Sequence, residues 1–314
     1  MIQTLLLLVL SLLASTVTAQ QHNDSGRYIY YKASKQIQFE DDAFGHAKIV
    51  NHIFKRGRGV IEFDKEVDTI GAYGFSPLRS LNTIKEISLP YSVTNIGEWA
   101  FCNNFRLKSF NIPDNVKTIG DGVVANCLRI KSFHGKFASK DGLALIYNDT
   151  LISYAAGNKA KGYTIPNGIT TIGGGAFTNS LHLRDIVIPD GVTTIGMQAF
   201  MGCENIASII ISRSTTSIGD FAFCDCTSLT NITIPDNVTA IGESAFLHCD
   251  NLSEVYCKSK IPPTPMYVYE GYYWGAFDEC APNIKLYVPR ESVDAYKTAD
   301  GWKEYADVIV GYDF

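Results

Sequence analysis

Seven times along 314 residues the pair Ile-Gly returns: Ile70-Gly71, Ile96-Gly97, Ile119-Gly120, Ile172-Gly173, Ile195-Gly196, Ile218-Gly219 and Ile241-Gly242. The intervals are 26, 23, 53, 23, 23 and 23 residues, and the long one is 23 plus an insertion of 30. Other columns keep the same register. Five residues after the Ile stand Phe75, Phe101, Phe177, Phe200, Phe223 and Phe246, with Val124 the one replacement. Eleven after stand Leu107, Ile130, Leu183, Ile206, Leu229 and Leu252; fourteen after, Phe110, Phe133, Ile186, Ile209, Ile232 and Val255. Three before stand Val93, Val116, Ile169, Val192 and Val238, with Thr215 the exception. A fixed period with fixed apolar columns is the signature of an array whose units cover one another. One 23-residue unit buries too little apolar surface to offset the entropy of ordering it, so a unit cannot stand alone.

Each unit carries its own punctuation. Leu-x-x-Ile-x-Ile-Pro reads as a short strand ended by proline, which has no N–H to donate onward. Asp114-Asn115, Asn167-Gly168, Asp190-Gly191 and Asp236-Asn237 follow the prolines and suit turns with positive φ. Val-Thr-x-Ile-Gly makes a second short strand, and the Gly releases the chain into Ala-Phe. The expected fold is a repeat solenoid, mostly β, whose stacked coils pair at the strand spacing of about 4.8 Å.

The unit Cys203-x-x-Ile206-x-x-Ile209-x-Ile211 through Ile218-Gly219-x-x-Ala222-Phe223-x-x-Cys226 resembles the leucine-rich repeat of the BspA-type surface proteins of host-associated anaerobic bacteria. The insertion, Phe137-Ala138 to Asn158-Lys159, and the terminal Leu286-Tyr-Val-Pro289, Ser292-Val-Asp-Ala-Tyr296-Lys and Trp302 are similar to segments of that family. The resemblance covers roughly residues 61 to 314. It implies a right-handed leucine-rich-repeat-like coil, surface exposure and adhesion to host or neighbouring-cell proteins, and it brings no catalytic residues.

The expected organisation is a signal peptide at 1–19, an N-terminal cap at 20–60, the solenoid at 61–257 with its insertion at about 134–162, and a C-terminal cap at 258–314. The apolar run Met1 to Ala14, followed by small residues at Val17 and Ala19, suits a secretory signal cleaved after Ala19. It is short for a membrane span. The chain is thus expected to be exported, on the cell surface or secreted. In the insertion, Gly142-Leu-Ala-Leu-Ile-Tyr147, Asn148-Asp149 and Thr150-Leu-Ile-Ser-Tyr154 read as a β-hairpin on the solenoid flank. After Val255 the period fails. Ser292 to Lys297 suits a short helix with Ser292 as N-cap, and Trp302 and Tyr305 suit a cover for the last coil.

The net charge of −5 comes from 27 basic and 32 acidic residues spread without long single-sign runs, which argues against nucleic acid as a partner. Eight cysteines in an exported chain invite disulfides. However, Cys127, Cys203, Cys226 and Cys249 all stand eight residues after the Ile, so they read as one buried column of free thiols. Cys102 and Cys224 share the sixth position, while Cys257 and Cys280 leave one bridge open. Cys224-Asp-Cys226 with His248 and Cys249 looks like a zinc set only because the repeat imposes the spacing. No HExxH, CxxC or Gly-x-Ser-x-Gly is present, so neither metal, cofactor nor enzyme activity is expected. Sequons at Asn23, Asn148, Asn231, Asn237 and Asn251 matter only in a eukaryotic secretory pathway.

Function is therefore sought where copies differ. With isoleucines of Asn231-Ile-Thr-Ile234 pointing in, the neighbouring columns point out. These columns are Asp185, Ser208, Asn231 and Glu254, and Val187, Ile210, Thr233 and Tyr256. They form a candidate surface for a host extracellular-matrix or surface protein, or a neighbouring-cell surface protein. The aromatic run Tyr267, Tyr269, Tyr272, Tyr273 and Trp274 is a second candidate, and the basis of an alternative reading as a glycan-binding module.

Overall fold

The computed structural model describes residues 25–39, 42–76, 84–266 and 275–314. The signal-peptide reading and the aromatic run from Tyr267 to Trp274 lie outside the described residues. The chain divides into two compact units, residues 1–143 and 144–314.

In the first unit, β1 (Tyr28–Ala33), β2 (Ile49–Lys55), β3 (Arg58–Phe63) and β5 (Ile84–Ser88) form an antiparallel sheet in the order β2-β3-β1-β5. The two-residue strands β4 (Thr69–Ile70), β6 (Asn95–Ile96) and β7 (Thr118–Ile119) stack in parallel, with Ile70, Ile96 and Ile119 on adjacent rungs.

The second unit holds two parallel ladders. One runs β18-β16-β14-β13-β11-β9 and closes on the antiparallel strand β8. Its strands are β8 (Ala144–Tyr147), β9 (Thr150–Tyr154), β11 (Thr171–Ile172), β13 (Thr194–Ile195), β14 (Ser217–Ile218), β16 (Ala240–Gly242) and β18 (Thr264–Met266). The other is made of β10 (Gly162–Thr164) on β12 (Asp185–Val187), and of β15 (Asn231–Ile234), β17 (Glu254–Cys257), β19 (Lys285–Pro289) and β20 (Ile309–Tyr312). Isolated bridges from Val187 to Ile210 and from Ile210 to Thr233 join these two groups of rungs. Between β19 and β20 lie a 3-10 turn (Arg290–Ser292) and the helix α1 (Val293–Thr298).

Register comes from columns that bury completely. Phe177, Phe200, Phe223 and Phe246 stack with centroids 5.0 to 5.2 Å apart, and all four are less than 2% exposed. Phe277 continues the stack at 5.2 Å, and Trp302 covers it at 5.8 Å with its indole N–H on the Pro263 carbonyl. Tyr305 meets Phe277 edge-on at 5.7 Å. The thiols of Cys203, Cys226, Cys249 and Cys280 donate to the carbonyls of Phe177, Phe200, Phe223 and Phe246, one coil back, at 3.1 to 3.3 Å. In the first unit Cys127 does the same to Phe101, and Asn104, in the same column, donates its amide to Phe75. All eight cysteines are unbridged. Cys257, left open by the sequence, is fully buried, as is Tyr296 of α1.

The structure corrects several expectations about detail. The Ile-Gly glycine of each coil is required by close approach and not by a turn. A Cβ at Gly219 would lie 2.6 Å from the Met197 nitrogen of the preceding coil, and one at Gly196 would lie 2.8 Å from the Gly174 nitrogen. Positive φ falls elsewhere, on the third and seventh residues after the Ile: Tyr73, Trp99, Gln198, Phe221 and Ser244, then Asn103, Asn126, Asn179, Asp225 and His248. Gly168 and Gly191 do adopt positive φ after their prolines, but Asn115 and Asn237 do not. Instead their side-chain amides donate to the carbonyls of Tyr91 and Arg213, 24 residues back, binding coil to coil.

The hairpin of the insertion is present, but β9 is no flank addition. Thr150 and Leu151 pair in parallel with Thr171 and Ile172, and the Tyr154 ring stacks on Phe177 at 5.2 Å, so the insertion supplies a rung of the ladder. Nor does the ladder stop where the period does. Phe246 to Phe277, Cys249 to Cys280 and Val255 to Leu286 are each 31 residues apart, eight more than the period. Ser292 takes the N-cap position of α1, but the preceding 3-10 turn buries it and it makes no side-chain cap bond.

Candidate functional site

Alternation along β12, β15, β17, β19 and β20 decides which side chains face outward. In β15 Ile232 and Ile234 are buried while Asn231 and Thr233 are exposed. In β17 Val255 and Cys257 are buried between Glu254 and Tyr256. Parallel pairing then sets like positions side by side: Gly162 by Asp185, Asn231 by Glu254 and Glu254 by Lys285 in one outward column. The next column joins Thr164, Val187, Ile210, Thr233, Tyr256, Tyr287 and Val310. Ser208 is exposed two residues before the bridge at Ile210.

This second column is unusually apolar for a solvent-facing row. Val187 is 56% exposed and Ile210 82%. At its far end the rings converge. Tyr256 and Tyr287 stack at 4.8 Å, and Tyr312 meets both edge-on at 5.6 and 5.5 Å. Phe314 adds a fourth ring 5.0 Å from Tyr312, with the Lys258 ammonium 5.9 Å from its centroid. The Tyr256 hydroxyl donates to the Glu254 carboxylate at 3.1 Å. Loss of solvent, and then the hydrogen bond and charge of Glu254, raise the Tyr256 phenol above its ordinary pKa. Arg290 and Asp313 close the rim through a bidentate pair at 2.9 and 2.8 Å. Neutral aromatic surface with hydrogen-bonding tips and a charged rim is the composition of protein-binding hot spots.

Eight of the sequence candidates, Asp185, Val187, Ser208, Ile210, Asn231, Thr233, Glu254 and Tyr256, thus lie on or beside successive rungs of one face. Lys285, Tyr287, Val310, Tyr312 and Phe314 were missed. The signal for the first two was present: Leu286-Tyr-Val-Pro289 repeats the in-out alternation of Ile232-Thr-Ile-Pro235. Among the described residues no group of three or more His, Cys, Asp or Glu side chains could hold a metal ion. No helix among them is long and apolar enough to cross a membrane.

The parallel ladders, the period and the aromatic stack define a leucine-rich-repeat solenoid. Six copies of the BspA type leucine rich repeat region match residues 28–140 and 153–273, and the chain belongs to that family. A leucine rich cell surface protein from Faecalibacterium prausnitzii A2-165 is similar in structure, with 25% identity and a TM-score of 0.55 over 72% of this chain and 57% of the other. The pneumococcal vaccine antigen PcpA shares the fold at 20% identity and a TM-score of 0.58, over 83% of this chain and 73% of its own. The chain therefore spans little more than half the length of the first. No curated protein matches.

Proposed function

We propose that the chain is an exported, non-catalytic surface protein that holds a protein partner on the outward ladder of its second unit. The partner is a matrix or surface protein of the host, or a surface protein of a neighbouring cell. The observation that carries this reading is the row holding exposed Val187 and Ile210 and half-buried Tyr256 and Tyr287, with exposed Tyr312 and Phe314 beside its end, on a parallel ladder. Membership of a repeat family named for surface proteins, and the likeness to a cell surface protein, support the same reading.

The test is a solid-phase binding screen of the protein against extracellular-matrix proteins and bacterial surface extracts, repeated with Tyr256→Ala plus Tyr287→Ala. Removing two hot-spot rings should weaken binding at least about tenfold, and because the rings also stack on each other and on Tyr312 the comparison is made at a temperature where circular dichroism shows both proteins folded. Binding that survives both substitutions would move the site off this face. N-terminal sequencing of the secreted protein should begin at Gln20.

A further inference from the structure

We propose that β2 is a docking edge for an extended, acidic segment of another polypeptide, which adds as a fifth strand to the sheet of the first unit. The site is separate from the outward ladder of the second unit and does not depend on it.

The argument begins with backbone groups. β2 is the terminal strand of the order β2-β3-β1-β5. The opposite edge continues into the next coil, where the Lys108 N–H donates to Lys85. Two residues, Arg56 and Gly57, both at positive φ, join β2 to β3, so the flanking pair Lys55 and Arg58 exchanges hydrogen bonds. Alternation then turns the N–H and C=O of Phe54 and His52 toward the free edge. Neither pair of groups has a partner among the described residues. A row of open donors and acceptors at strand spacing fits one class of ligand, another extended chain.

The choice of an acidic segment rests on charge. From Ala43 to Ile61 the sequence has no Asp or Glu but carries Lys48, Lys55, Arg56 and Arg58, in a chain whose net charge is −5. On the sheet two of these cations, Lys55 and Arg58, join Lys32 in one row. Glu86 lies opposite Lys32, Lys32 opposite Arg58, and Arg58 opposite Lys55. Lys32 is ion-paired to Glu86. Arg58 and Lys55, the two members nearest the edge, have no carboxylate among the described residues, although like charges directly opposite on a sheet repel. A carboxylate on an incoming strand, set opposite Lys55, would complete the row.

Shape agrees at the other end of β2. Ile49 and Val50 are 40% and 56% exposed, and Val50 is the extra residue of a bulge against β3. Beside them opens a cleft of about 460 Å³ lined by Phe39, Phe44, His46, Lys48 and Ile49. Its lining is mixed, with Phe39, Phe44 and Ile49 beside His46 and Lys48, and it offers a seat for one side chain of the added strand. Basic residues on an edge also guard against aggregation, and the experiment separates that role from docking.

The probe is a synthetic eight-residue peptide alternating valine with glutamate, titrated against the full chain, with a valine–lysine peptide as its counterpart. The acidic peptide should bind and the basic one should not. Amide exchange at His52 and Phe54, fast in the free protein, should slow at least tenfold in the complex. Lys55→Glu plus Arg58→Glu should reverse the preference. The acidic peptide N-methylated at every residue keeps its charge but has no N–H to donate, and should bind at least tenfold more weakly; circular dichroism of each protein variant checks that the sheet is intact. Failure of the acidic peptide to bind, or binding without slowed exchange at His52 and Phe54, overturns the proposal. Full binding of the N-methylated peptide also overturns it, because simple attraction to a basic surface would survive that change.

Discussion

At the scale of single residues, the repeat letters are chosen by distance as much as by hydrophobicity. The glycines after the isoleucines, such as Gly97, Gly120, Gly196, Gly219 and Gly242, sit where a Cβ would strike the backbone of the coil before. Gly219→Ala should cost about 1–3 kcal/mol through overpacking, read as a lower urea midpoint with an unchanged slope. An unchanged midpoint would mean that the coils separate freely there. The cysteine column obeys the same logic of fit. A thiol is small enough for the interior and still satisfies the phenylalanine carbonyl one coil away. Asn104 shows that another donor can serve in this column. The positive φ of Trp99 and Phe221 carries no such signal in the sequence, because large residues seldom adopt it. There the coil closes tightly, and the stack on either side dictates the backbone.

At the scale of elements, two- and three-residue strands have almost no stability of their own and depend on the stacks between them. Phe223 lies between Phe200 and Phe246 at 5.2 and 5.1 Å. Phe223→Ala should cost about 3–5 kcal/mol, and hydrogen exchange should quicken first in β14 and β16, the strands flanking its coil. Uniform quickening across both units would contradict nearest-neighbour stacking. Most of this architecture was legible as columns in the sequence: the in-register strands, the outward positions from Asp185 to Tyr256 and the unbridged thiols of Cys127, Cys203, Cys226 and Cys249 follow from a period of 23, whereas Cys257 and Cys280 stand outside it. What escaped notice lay beyond inserted residues. The last coil carries the same Phe, Cys and apolar positions as the others, displaced by eight residues, so a fixed-period alignment loses Tyr287 while the packing keeps it. Tyr312 and Phe314 lie on a strand whose partner is the displaced one, and their convergence with Tyr256 is a fact of three dimensions only.

At the scale of the whole molecule, eight buried or half-buried thiols link stability to alkaline pH. Burial pushes Cys203 and Cys280 up to about 12, and Cys127, Cys226 and Cys249 also rise, from an ordinary 9.0. The unfolded chain releases these protons first, so their contribution is complete below about pH 9 and is lost as pH climbs toward about 12. The melting temperature should fall across that window, and Cys203→Ala plus Cys226→Ala should flatten the fall. A profile unaltered by the two replacements would assign the alkaline limb to other groups. In denaturant all eight thiols should react with a thiol reagent, and in the native protein they should resist it.

The eight residues added before Phe277 leave Phe277, Cys280 and Leu286 in their columns. Length and scaffold are therefore separable here. A lineage carrying this chain can lengthen the path from one coil to the next without renegotiating how either coil folds. The columns, not the count of residues between them, are what inheritance has to keep.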